Sequence, residues 1–327
     1  MRMVESSHSP VVHVNRISKR FGRGAPVLDD VSFSIHCGEM VALIGASGSG
    51  KSTLIRSIAG LVPLDRAARS GAEVSNSITL FDKPMQKNGR IGDAAQEMRA
   101  RTGVIFQQFN LVPRLTVLTN VCLGRLGRMP AMRGMLGRFS ADEKRQAIRA
   151  LERVGMAEHA LKRGSELSGG QQQRAAIART LVQGAEFLIA DEPIASLDPA
   201  SARRVMDILA DMNRRDGITV LVSLHQVDYA LKYCPRTIAL KRGSVAYDGA
   251  SSALTPALLS ELYGAESGDL LLHLQDQQPD PYPSRRRHDT EVAHLAPAAH
   301  HAAADARHAH PNGHRAFALP MADRRTA

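Results

Sequence analysis

The sequence predicts an α/β fold built around a mostly parallel β-sheet. Short apolar runs typical of buried strands alternate with stretches of helical periodicity, as in "FLIAD" (187–191), the helical stretch that follows it and "ITVLVSL" (218–224). A glycine-rich loop, "GASGSGKST" (45–53), directly follows the apolar run "MVALI" and precedes another helical stretch. Residues 11–45 carry mainly strand patterns, so the N-terminal part is expected to be β-rich.

The order of the elements follows from periodicity and from the turn residues between segments. The predicted elements are strands at 11–17, 27–35 and 40–45, a helix at 52–60, strands at 73–81 and 101–106, helical segments between 116 and 163, a helix ending near 183, a strand at 187–191, a helix near 200–213, a strand at 218–224, a helix at 226–233, and strands at 237–243 and 244–249. Residues 1–10 are expected to be flexible.

The chain changes character beyond about Gly264. Residues 265–327 are rich in His, Ala and Pro, and they hold eight of the protein's 13 histidines. This composition cannot bury a core, so it predicts a disordered extension. Weak metal binding by the tail histidines stays open, although their spacing matches no defined site. These histidines are His300, His301, His308, His310 and His314.

The composition limits the classes of function. With 327 residues, 43% of them apolar, the chain can bury a substantial core. No apolar run approaches the roughly 18 residues that a membrane-spanning helix needs, and the N-terminal residues lack the apolar segment of a secretory signal. We therefore expect a cytoplasmic chain. The three cysteines, Cys37, Cys122 and Cys234, show no metal-ligand spacing and are predicted to be buried free thiols.

The positive charge is concentrated before the tail. The formal net charge of +10 is compatible with nucleic-acid binding, but its distribution is more informative. Residues 268–327 hold seven arginines and seven acids, so the excess lies in the first 267 residues. Between Arg125 and Arg149, seven Lys and Arg residues face two acids, Asp142 and Glu143. This basic segment is either a solvated surface or a face toward anionic lipid or another subunit.

The loop at 45–53 matches the phosphate-binding pattern G-x-x-x-x-G-K-[ST]. Its glycines allow the backbone to wrap around phosphates, so that amides from about Ser47 to Thr53 point inward. We expect Lys51 to reach the β- and γ-phosphates and the Ser52 hydroxyl to hold Mg²⁺. The predicted phosphate-binding residues are Gly45, Ala46, Ser47, Gly48, Ser49, Gly50, Lys51, Ser52 and Thr53.

A partner acid is expected at the end of another buried strand, and "FLIADEP" supplies Asp191 and Glu192. Asp191 is placed to hold Mg²⁺ directly or through water. Glu192 would project beyond the strand end, where it can orient and deprotonate an attacking water. Two adjacent acids are weak evidence by themselves, because helix N-termini often carry them. Their combination with a phosphate-binding loop is a strong indication of phosphoryl-transfer chemistry.

A second stretch, "GSELSGGQQQRAAIART" (164–180), also has phosphate-binding character. Ser168, Gly169 and Gly170 precede a helical pattern, which predicts a helix start where free N–H groups and the positive end of the helix dipole face an anion. The stretch contains no histidine and no cysteine, so metal chemistry of its own is not indicated. One chain therefore carries two predicted phosphate-binding elements.

Taken together, the motifs resemble those of the ATP-binding-cassette (ABC) ATPases over roughly residues 11–264. The phosphate-binding loop is followed in order by Gln107 in "VIFQQFNL", the signature "LSGGQ" (167–171), the acid strand, Asp198 in "SLD" and His225 in "SLHQVD". The resemblance implies an α/β P-loop NTPase core with an N-terminal antiparallel β subdomain and a helical signature subdomain inserted at about 108–172.

The same resemblance implies roles for further residues. Phe21 in "SKRFG" stands where this family stacks an aromatic ring on adenine. Gln107 is expected to contribute to the Mg²⁺ site and to catalysis, and His225 is expected to act in catalysis. Ala46 departs from many importers, which have proline there, and this change should be tolerated because the loop binds through its backbone.

The resemblance also accounts for the two phosphate-binding elements. In this family two cassettes enclose two ATP molecules head to tail. Ser168 and Gly170 of one copy would therefore cap the γ-phosphate held by Lys51 of another copy. The residues of the signature and the "SLD" stretch that are expected to bind the nucleotide are Ser168, Gly169, Gly170, Gln171 and Asp198.

Longer stretches are similar to one branch, the ATPases of bacterial phosphonate importers. They are "FQQFNLVPRLTVLTNV", "DEPIASLDP", "GITVLVSLHQVDYALKYC" and "YDGASS", whereas polar amino-acid importers typically have "TSALDP" and "THEM" at the corresponding places. The likeness implies a separate membrane permease, touched by "QFNLVPRL" (108–115), and indirectly a periplasmic phosphonate-binding protein. It also implies a peripheral position on the cytoplasmic face of the bacterial inner membrane, and no nucleic-acid partner.

Two alternatives stay open. The cassette of an importer does not touch the solute, so the cargo could instead be phosphate, phosphite or a polar amino acid. A cassette ATPase that acts on DNA or ribosomes belongs to a different class of protein. Such proteins usually carry two cassettes or long coiled-coil insertions, and neither feature is found in this sequence.

Overall fold

The structure, a computed structural model, describes residues 9–66, 76–108 and 110–264. The expected flexible residues 1–8, part of the predicted strand at 73–81, and the predicted tail with its histidines lie outside this range. The strands are β1 Val12–Lys19, β2 Leu28–Ile35, β3 Met40–Ile44, β4 Ser77–Leu80, β5 Lys83–Lys87, β6 Arg90–Ile91, β7 Thr102–Ile105, β8 Phe187–Asp191, β9 Thr219–Ser223, β10 Arg236–Lys241 and β11 Ser244–Ala250. The helices are α1 Lys51–Ile58, α2 Ala95–Arg101, α3 Val117–Cys122, α4 Ala131–Met135, α5 Ala141–Arg153, α6 Gly169–Gln183, α7 Pro199–Asp216, α8 Val227–Tyr233 and α9 Pro256–Tyr263.

The described strands form two sheets. One is antiparallel, with the order β2-β1-β4-β5-β6, and it contains the N-terminal strands. The other has the order β11-β10-β3-β9-β8-β7, and all its neighbours are parallel except the edge pair of β10 and β11. The predicted α/β fold, with a mostly parallel sheet and an antiparallel N-terminal region, is confirmed.

Strand β3 explains why its sequence is a continuous apolar run. All five residues of "MVALI" are buried, because β3 has packed layers on both faces. Side chains alternate along a strand, so Met40, Ala42 and Ile44 join the core formed with α6, α7 and α8. Val41 and Leu43 point the other way, into the core shared with α1 and the antiparallel sheet. Because β3, β8 and β9 are parallel neighbours, their carboxyl ends lie at one edge of the sheet.

A helical region lies between β7 and α6. Helices α3 and α5 both pack against α6 and against each other. Helix α5 begins with a capping box, in which the Ser140 hydroxyl accepts the Glu143 N–H and the Glu143 carboxylate accepts the Ser140 N–H. The Ser140 N–H bond, assisted by the neighbouring Arg133, lowers the pKa of Glu143. Three-residue and six-residue 3-10 turns complete the region, at Leu123–Arg128, Ala157–His159 and Gly164–Glu166.

The structure corrects several expectations. Strands β5 and β6 were not predicted, because "KPMQKNGRI" is polar and contains proline. Helix α9 was not predicted, because "PALLSELY" is too short to show a clear period. Helix α2 was not predicted either. Cys122 and Cys234 are buried as predicted, but Cys37 is exposed in the turn after β2. No helix among the described residues is long and apolar enough to cross a membrane.

Candidate functional site

The glycine-rich loop joins β3 to α1 and has the backbone that only glycine adopts easily. Gly45 has φ 145° and Gly50 has φ 105°. A Cβ on Gly50 would lie 2.6 Å from the carbonyl oxygen of Val27, and a Cβ on Gly45 would collide with the carbonyl oxygen of Leu240. Both glycines are therefore required by conformation and by space. The loop closes on itself through a 3.1 Å bond from the Ser49 N–H to the Ala46 carbonyl oxygen.

Lys51 lies inside this loop and is 4% exposed. Its Nζ donates to the carbonyl oxygens of Gly45 and Ala46, at 2.6 and 3.2 Å. Burying an ammonium group is costly unless acceptors surround it. The lysine is thus held over the loop by neutral carbonyl groups, which phosphate oxygens can replace as stronger acceptors.

Asp191 and Glu192 leave the carboxyl end of β8 next to this loop. The Asp191 Oδ1 atom lies 3.4 Å from the Ser52 hydroxyl at the start of α1. Ser223, at the end of β9, donates to the same Oδ1 at 2.9 Å and accepts the Glu192 N–H at 2.8 Å. Ser223 pairs with Asp191 in the sheet register, so the strand pairing itself sets these bonds. Sequence reasoning missed Ser223, since only the pairing of β8 with β9 gives it this role.

Glu192 has a left-handed backbone, with φ 49°. For a residue with a Cβ this conformation costs roughly 1–2 kcal/mol, which the surrounding structure must offset. The turn directs its carboxylate toward the segment that follows β9, where His225 Nε2 lies 3.0 Å from Glu192 Oε1. The Glu192 side chain is 15% exposed and His225 is 42% exposed. A pocket lined by both residues and by Ser223 and Ala195 opens beside them.

A second contact that sequence reasoning missed comes from the C-terminal helix α9. The Tyr263 hydroxyl accepts the N–H of Gly45 at 3.2 Å, where the glycine-rich loop begins. Tyr263 is 5% exposed, and α9 packs against β10, the neighbour of β3. The two residues are 218 positions apart in the sequence, so no local signal could have revealed this support.

The signature stretch forms the predicted helix start. The Ser168 hydroxyl accepts the Gln171 N–H at 3.4 Å, and Gln171 Oε1 accepts the Ser168 N–H at 2.9 Å. The Gln171 Nε2 atom lies 3.0 Å from His159 Nε2, which fixes the amide from its other side. Ser168 is exposed at the tip of α6, so it can meet a ligand presented by another molecule.

Gly170 and Asp198 are explained by contacts within one chain. A Cβ on Gly170 would lie 2.8 Å from the Cβ and Oγ atoms of Ser201, in the first turn of α7. Asp198 caps that helix, because its Oδ1 atom accepts the N–H groups of Ala200 and Ser201, both at 3.0 Å. Hydrogen bonds from the Ser201 side chain and from these N–H groups hold the pKa of Asp198 below its usual range. The signature helix α6 therefore lies close to the first turn of α7, which Asp198 caps.

Two predicted residues lie apart from this cluster in the hydrogen-bond network. Gln107 is exposed in the bend after β7. Phe21 is 54% exposed after β1, and Lys19 Nζ lies 5.3 Å from the centre of its ring. The structure thus brings Lys51, Ser52, Asp191, Glu192 and His225 together, whereas Gln107 and Phe21 face solvent.

The segment after Gln107 is hydrogen-bonded to the residues that directly precede the signature. Ser165 donates its N–H to the Pro113 carbonyl oxygen, and Gly164 donates its N–H to the Leu115 carbonyl oxygen. Asn120, which is fully buried, holds the segment from inside through four side-chain bonds to the backbone of 112–116. Residues 110–116 and 160–165 therefore form one bonded unit.

The site defines the class of the protein. A phosphate-binding loop, an acid strand beside it, a histidine on the glutamate and a capped signature helix are together the apparatus of a cassette-type P-loop ATPase. A family model described as "ABC transporter" matches residues 28–195, which is half of the chain. The chain belongs to the ABC transporter family, whose cassettes bind and hydrolyse ATP.

Curated relatives place the chain more closely. It is 57% identical over 269 residues to "Phosphonates import ATP-binding protein PhnC 1" of Pseudomonas aeruginosa, which covers 82% of this chain and 94% of that protein. It is 59% identical over 261 residues to "Phosphonates import ATP-binding protein PhnC" of Stutzerimonas stutzeri, covering 80% and 92%. The recognition of the phosphonate-importer branch from the sequence is confirmed.

Solved structures share the fold. The dimeric bacterial ABC transporter cassette MJ0796 is 30% identical, with a TM-score of 0.63, and covers 74% of this chain and all of its own. The same cassette has been solved as a dimer in a post-hydrolysis state bound to ADP and Pi, at a TM-score of 0.61 and 30% identity over the same shares.

Proposed function

We propose that this chain hydrolyses ATP to drive the import of phosphonates through a separate membrane permease. The observation that supports hydrolysis is the meeting of Lys51, Asp191 and the Glu192–His225 pair at one sheet edge. The phosphonate cargo is supported by identities of 57% and 59% to two relatives named as phosphonate import proteins. The chain would work at the cytoplasmic face of the bacterial inner membrane.

The first step is the binding of ATP in the glycine-rich loop. Lys51 exchanges the carbonyl oxygens of Gly45 and Ala46 for the β- and γ-phosphates, and the amides of the loop donate to phosphate oxygens. No side chain has to cross the site for this exchange, because Lys51 already lies over the loop. Exposed Phe21 would offer its ring to the adenine, with the nearby Lys19 strengthening the platform.

The residues present fit a magnesium ion. Ser52 and Asp191 offer hydroxyl and carboxylate oxygens within 3.4 Å of each other, and Mg²⁺ prefers oxygen ligands shared with substrate phosphates. We propose that Ser52 and Asp191 hold the ion, with Gln107 as a third ligand. The bound ion would supply charge that polarises the γ-phosphoryl group. Ser223 keeps Asp191 in place by donating to the carboxylate oxygen that faces Ser52.

Glu192 is the group placed to take a proton from the attacking water. Its carboxylate lies just beyond the strand end, in a partly exposed pocket where a water molecule fits beside it. His225 contacts Oε1 and thereby leaves the second carboxylate oxygen to orient the water. A general base of this kind contributes about 10²–10⁴-fold in rate.

The signature of a second copy would complete the site. Ser168 is exposed at the start of α6, and in the proposed dimer it would cap the γ-phosphate held by the first copy together with the first N–H groups of that helix. Gln171 acts in this arrangement by fixing Ser168, and Asp198 acts by capping α7, whose first turn lies beside Gly170. The dimeric cassettes among the structural relatives support this proposal.

Coupling to the permease would use the bonded unit of 110–116 and 160–165. We propose that the permease contacts residues 108–115. A shift of this segment is transmitted to residues 163–165 by the bonds of Ser165 and Gly164, and so to Ser168 three residues further on. Permease movement and closure of the signature over ATP are thereby linked.

The test is ATP hydrolysis by the chain assembled with its permease and solute-binding protein in lipid. We expect phosphonates to stimulate hydrolysis, and phosphate, phosphite and polar amino acids to have a smaller effect. If one of those solutes stimulates hydrolysis more than phosphonates do, that solute would be assigned as the cargo. Co-purification of the chain with nucleic acid or ribosomes, and not with a permease, would contradict the transport function itself.

A further inference from the structure

An exposed apolar cluster lies on the surface of the helical region. Among the described residues, ten large hydrophobic side chains are exposed, and four of them fall within residues 126–136. They are Leu126, Met132, Met135 and Leu136, with exposed fractions of 42%, 72%, 85% and 61%. We call these four residues the Met/Leu patch. An apolar surface concentrated in this way usually marks a contact with another molecule or a membrane.

Met132, Met135 and Leu136 share one face of α4 and its C-terminal end, and Leu126 lies on the neighbouring 3-10 turn. A Cβ on Gly134 would lie 3.1 Å from Cδ2 of Leu126, so the 3-10 turn Leu123–Arg128 and helix α4 pack side by side. Glycine at this position lets the two segments approach. Methionine adds flexible side chains that adapt to an irregular apolar environment.

The surroundings of the patch are strongly basic. Residues 123–138 contain four arginines and no acid. Arg133 is bonded to Glu143 at 2.6 Å, and Arg128 donates to the Gly184 carbonyl oxygen at 3.0 Å. Arg138 is exposed, and its guanidinium makes no ion pair with any residue that the structure describes. Its charge is available to an external anion.

We propose that the Met/Leu patch and its arginines bind directly to the surface of an anionic phospholipid bilayer, apart from the permease contact. Exposed apolar side chains beside arginines match the interface of such a bilayer, where acyl chains lie just below anionic headgroups. Methionine and leucine enter the apolar layer, while arginine keeps its stem there and its guanidinium among the headgroups. A protein partner would need complementary acids in place of headgroups. The proposal rests on the proposed function only in placing a membrane beside this region.

The chain offers a direct reporter because it contains no tryptophan. In Met135→Trp the single indole would sit at the most exposed position of the patch. We expect its emission to shift to shorter wavelength when vesicles of phosphatidylglycerol and phosphatidylethanolamine are added to the full chain, and brominated lipids to quench it. Leu161→Trp is the matched control, because Leu161 is 80% exposed and has two basic neighbours but no apolar cluster. Its emission should not shift.

Vesicle sedimentation supplies the second measurement. The variant Met132→Ser/Met135→Ser/Leu136→Ser keeps the net charge of +10, so general electrostatic adsorption is unchanged. We expect it to bind anionic vesicles at least about tenfold more weakly, because three apolar side chains can no longer be buried in the lipid. Arg138→Gln should bind about fivefold more weakly, as expected for one basic residue at a membrane surface. Arg90→Gln, an exposed arginine of the antiparallel sheet, is its control.

The vesicle experiments use the chain and lipid alone, and one further experiment adds the permease. Unchanged emission of Met135→Trp on anionic vesicles would overturn the proposal, as would equal binding by the triple serine variant and the unmodified chain. A shift seen with purified permease in detergent, and not with lipid, would make the patch a protein contact and would also overturn it. Because these experiments need no solute, a wrong cargo assignment would not affect them.

Discussion

At the residue scale, Ser223 joins the two acids of the site. Its hydroxyl donates to Asp191 and accepts the Glu192 N–H, so one small side chain fixes the metal-binding carboxylate and the strained backbone of the proposed base. Ser223 is fully buried, and water cannot replace these bonds without rearrangement. The residue touches neither phosphate nor water in the proposed mechanism, so it is a positioning residue.

We expect Ser223→Ala to lower both stability and turnover. The change leaves the Glu192 N–H and one Asp191 oxygen without their partner, which should cost about 1–3 kcal/mol in the free energy of unfolding. Turnover should fall more than ATP binding, because Lys51 is untouched. Ser57→Ala is a matched control, since Ser57 is also fully buried but its hydroxyl has no hydrogen-bond partner among the described residues. Equal losses of turnover in both variants would show that Ser223 is not a positioning residue.

The three cysteines differ in accessibility. Burial raises the pKa of the Cys122 thiol to about 11 and that of Cys234 to about 12, so both remain protonated and shielded at neutral pH. Cys37 is exposed. A colorimetric thiol reagent should therefore modify one thiol rapidly in the folded chain and three after denaturation, and Cys37→Ser should abolish the rapid phase. Two rapidly reacting thiols in the unmodified chain would contradict this burial pattern.

At the element scale, the sequence predicts best where an element is apolar throughout. Strand β8 has the bounds that "FLIAD" predicts, because all of its residues are buried between two layers. The glycine-rich loop and the capped helix α6 are also predictable, since local backbone chemistry specifies them. Strands β5 and β6 and helix α2 are not, because tertiary packing compensates for their weak local signal.

The residues of the candidate site divide in the same way, into those that local sequence predicts and those that depend on tertiary structure. Lys51, Asp191 and Glu192 could be predicted because each lies at or just beyond the end of a recognisable apolar strand. His225 could be predicted only because the order of the motifs resembles that of the family. Ser223 and Tyr263 could not, because one depends on strand register and the other on a contact across 218 positions. The structure therefore adds the residues that hold the predicted site residues in position.

Helix α9 has a role that its position near the end of the described chain does not suggest. Tyr263→Phe removes the hydroxyl that accepts the Gly45 N–H and leaves this buried amide without that partner. We expect the glycine-rich loop to be less well held, so that the KM for ATP rises several-fold while kcat changes less, since Glu192 lies on another strand. A thermal scan should show a decrease of roughly 2–4 °C in Tm for each kcal/mol lost.

Tyr247→Phe is the control for this prediction. The Tyr247 hydroxyl likewise makes a hydrogen bond to the backbone, as donor to the Ala250 carbonyl oxygen at 2.7 Å, but this bond is local to β11. The control should leave the KM for ATP unchanged. A Tyr263→Phe variant with the parental KM would limit Tyr263 to a packing role.

At the scale of the whole molecule, the contacts of the signature helix have consequences for assembly. Each chain has one glycine-rich loop and one signature, and the proposed mechanism uses them on different copies. Within one chain, Gly170 lets α6 approach α7 closely, and Asp198 caps α7 at that point. In the proposed dimer, two copies would therefore meet through pre-formed surfaces, and the negative charge of Glu192 beside the γ-phosphate would oppose their closure.

The variant Glu192→Gln tests both the chemistry and the assembly. The amide keeps the size of the carboxylate but cannot accept a proton from water, so hydrolysis should fall by about 10²–10⁴-fold. ATP binding should survive, because Lys51, Ser52 and Asp191 are unchanged. Loss of a negative charge beside the γ-phosphate should also favour closure, so the variant should accumulate as an ATP-bound dimer in size-exclusion chromatography with Mg²⁺ and ATP.

A second change separates assembly from chemistry. Ser168 is exposed at the tip of α6, so Ser168→Arg should cost one chain only about 1 kcal/mol of stability, from the lost N-cap bond, while filling the γ-phosphate site of the other. Added to Glu192→Gln, it should return the protein to a monomer that still binds ATP. A Glu192→Gln variant that hydrolyses ATP near the parental rate would refute the assignment of the base. One that binds ATP yet stays monomeric would leave the base unaffected and would instead count against the head-to-tail dimer.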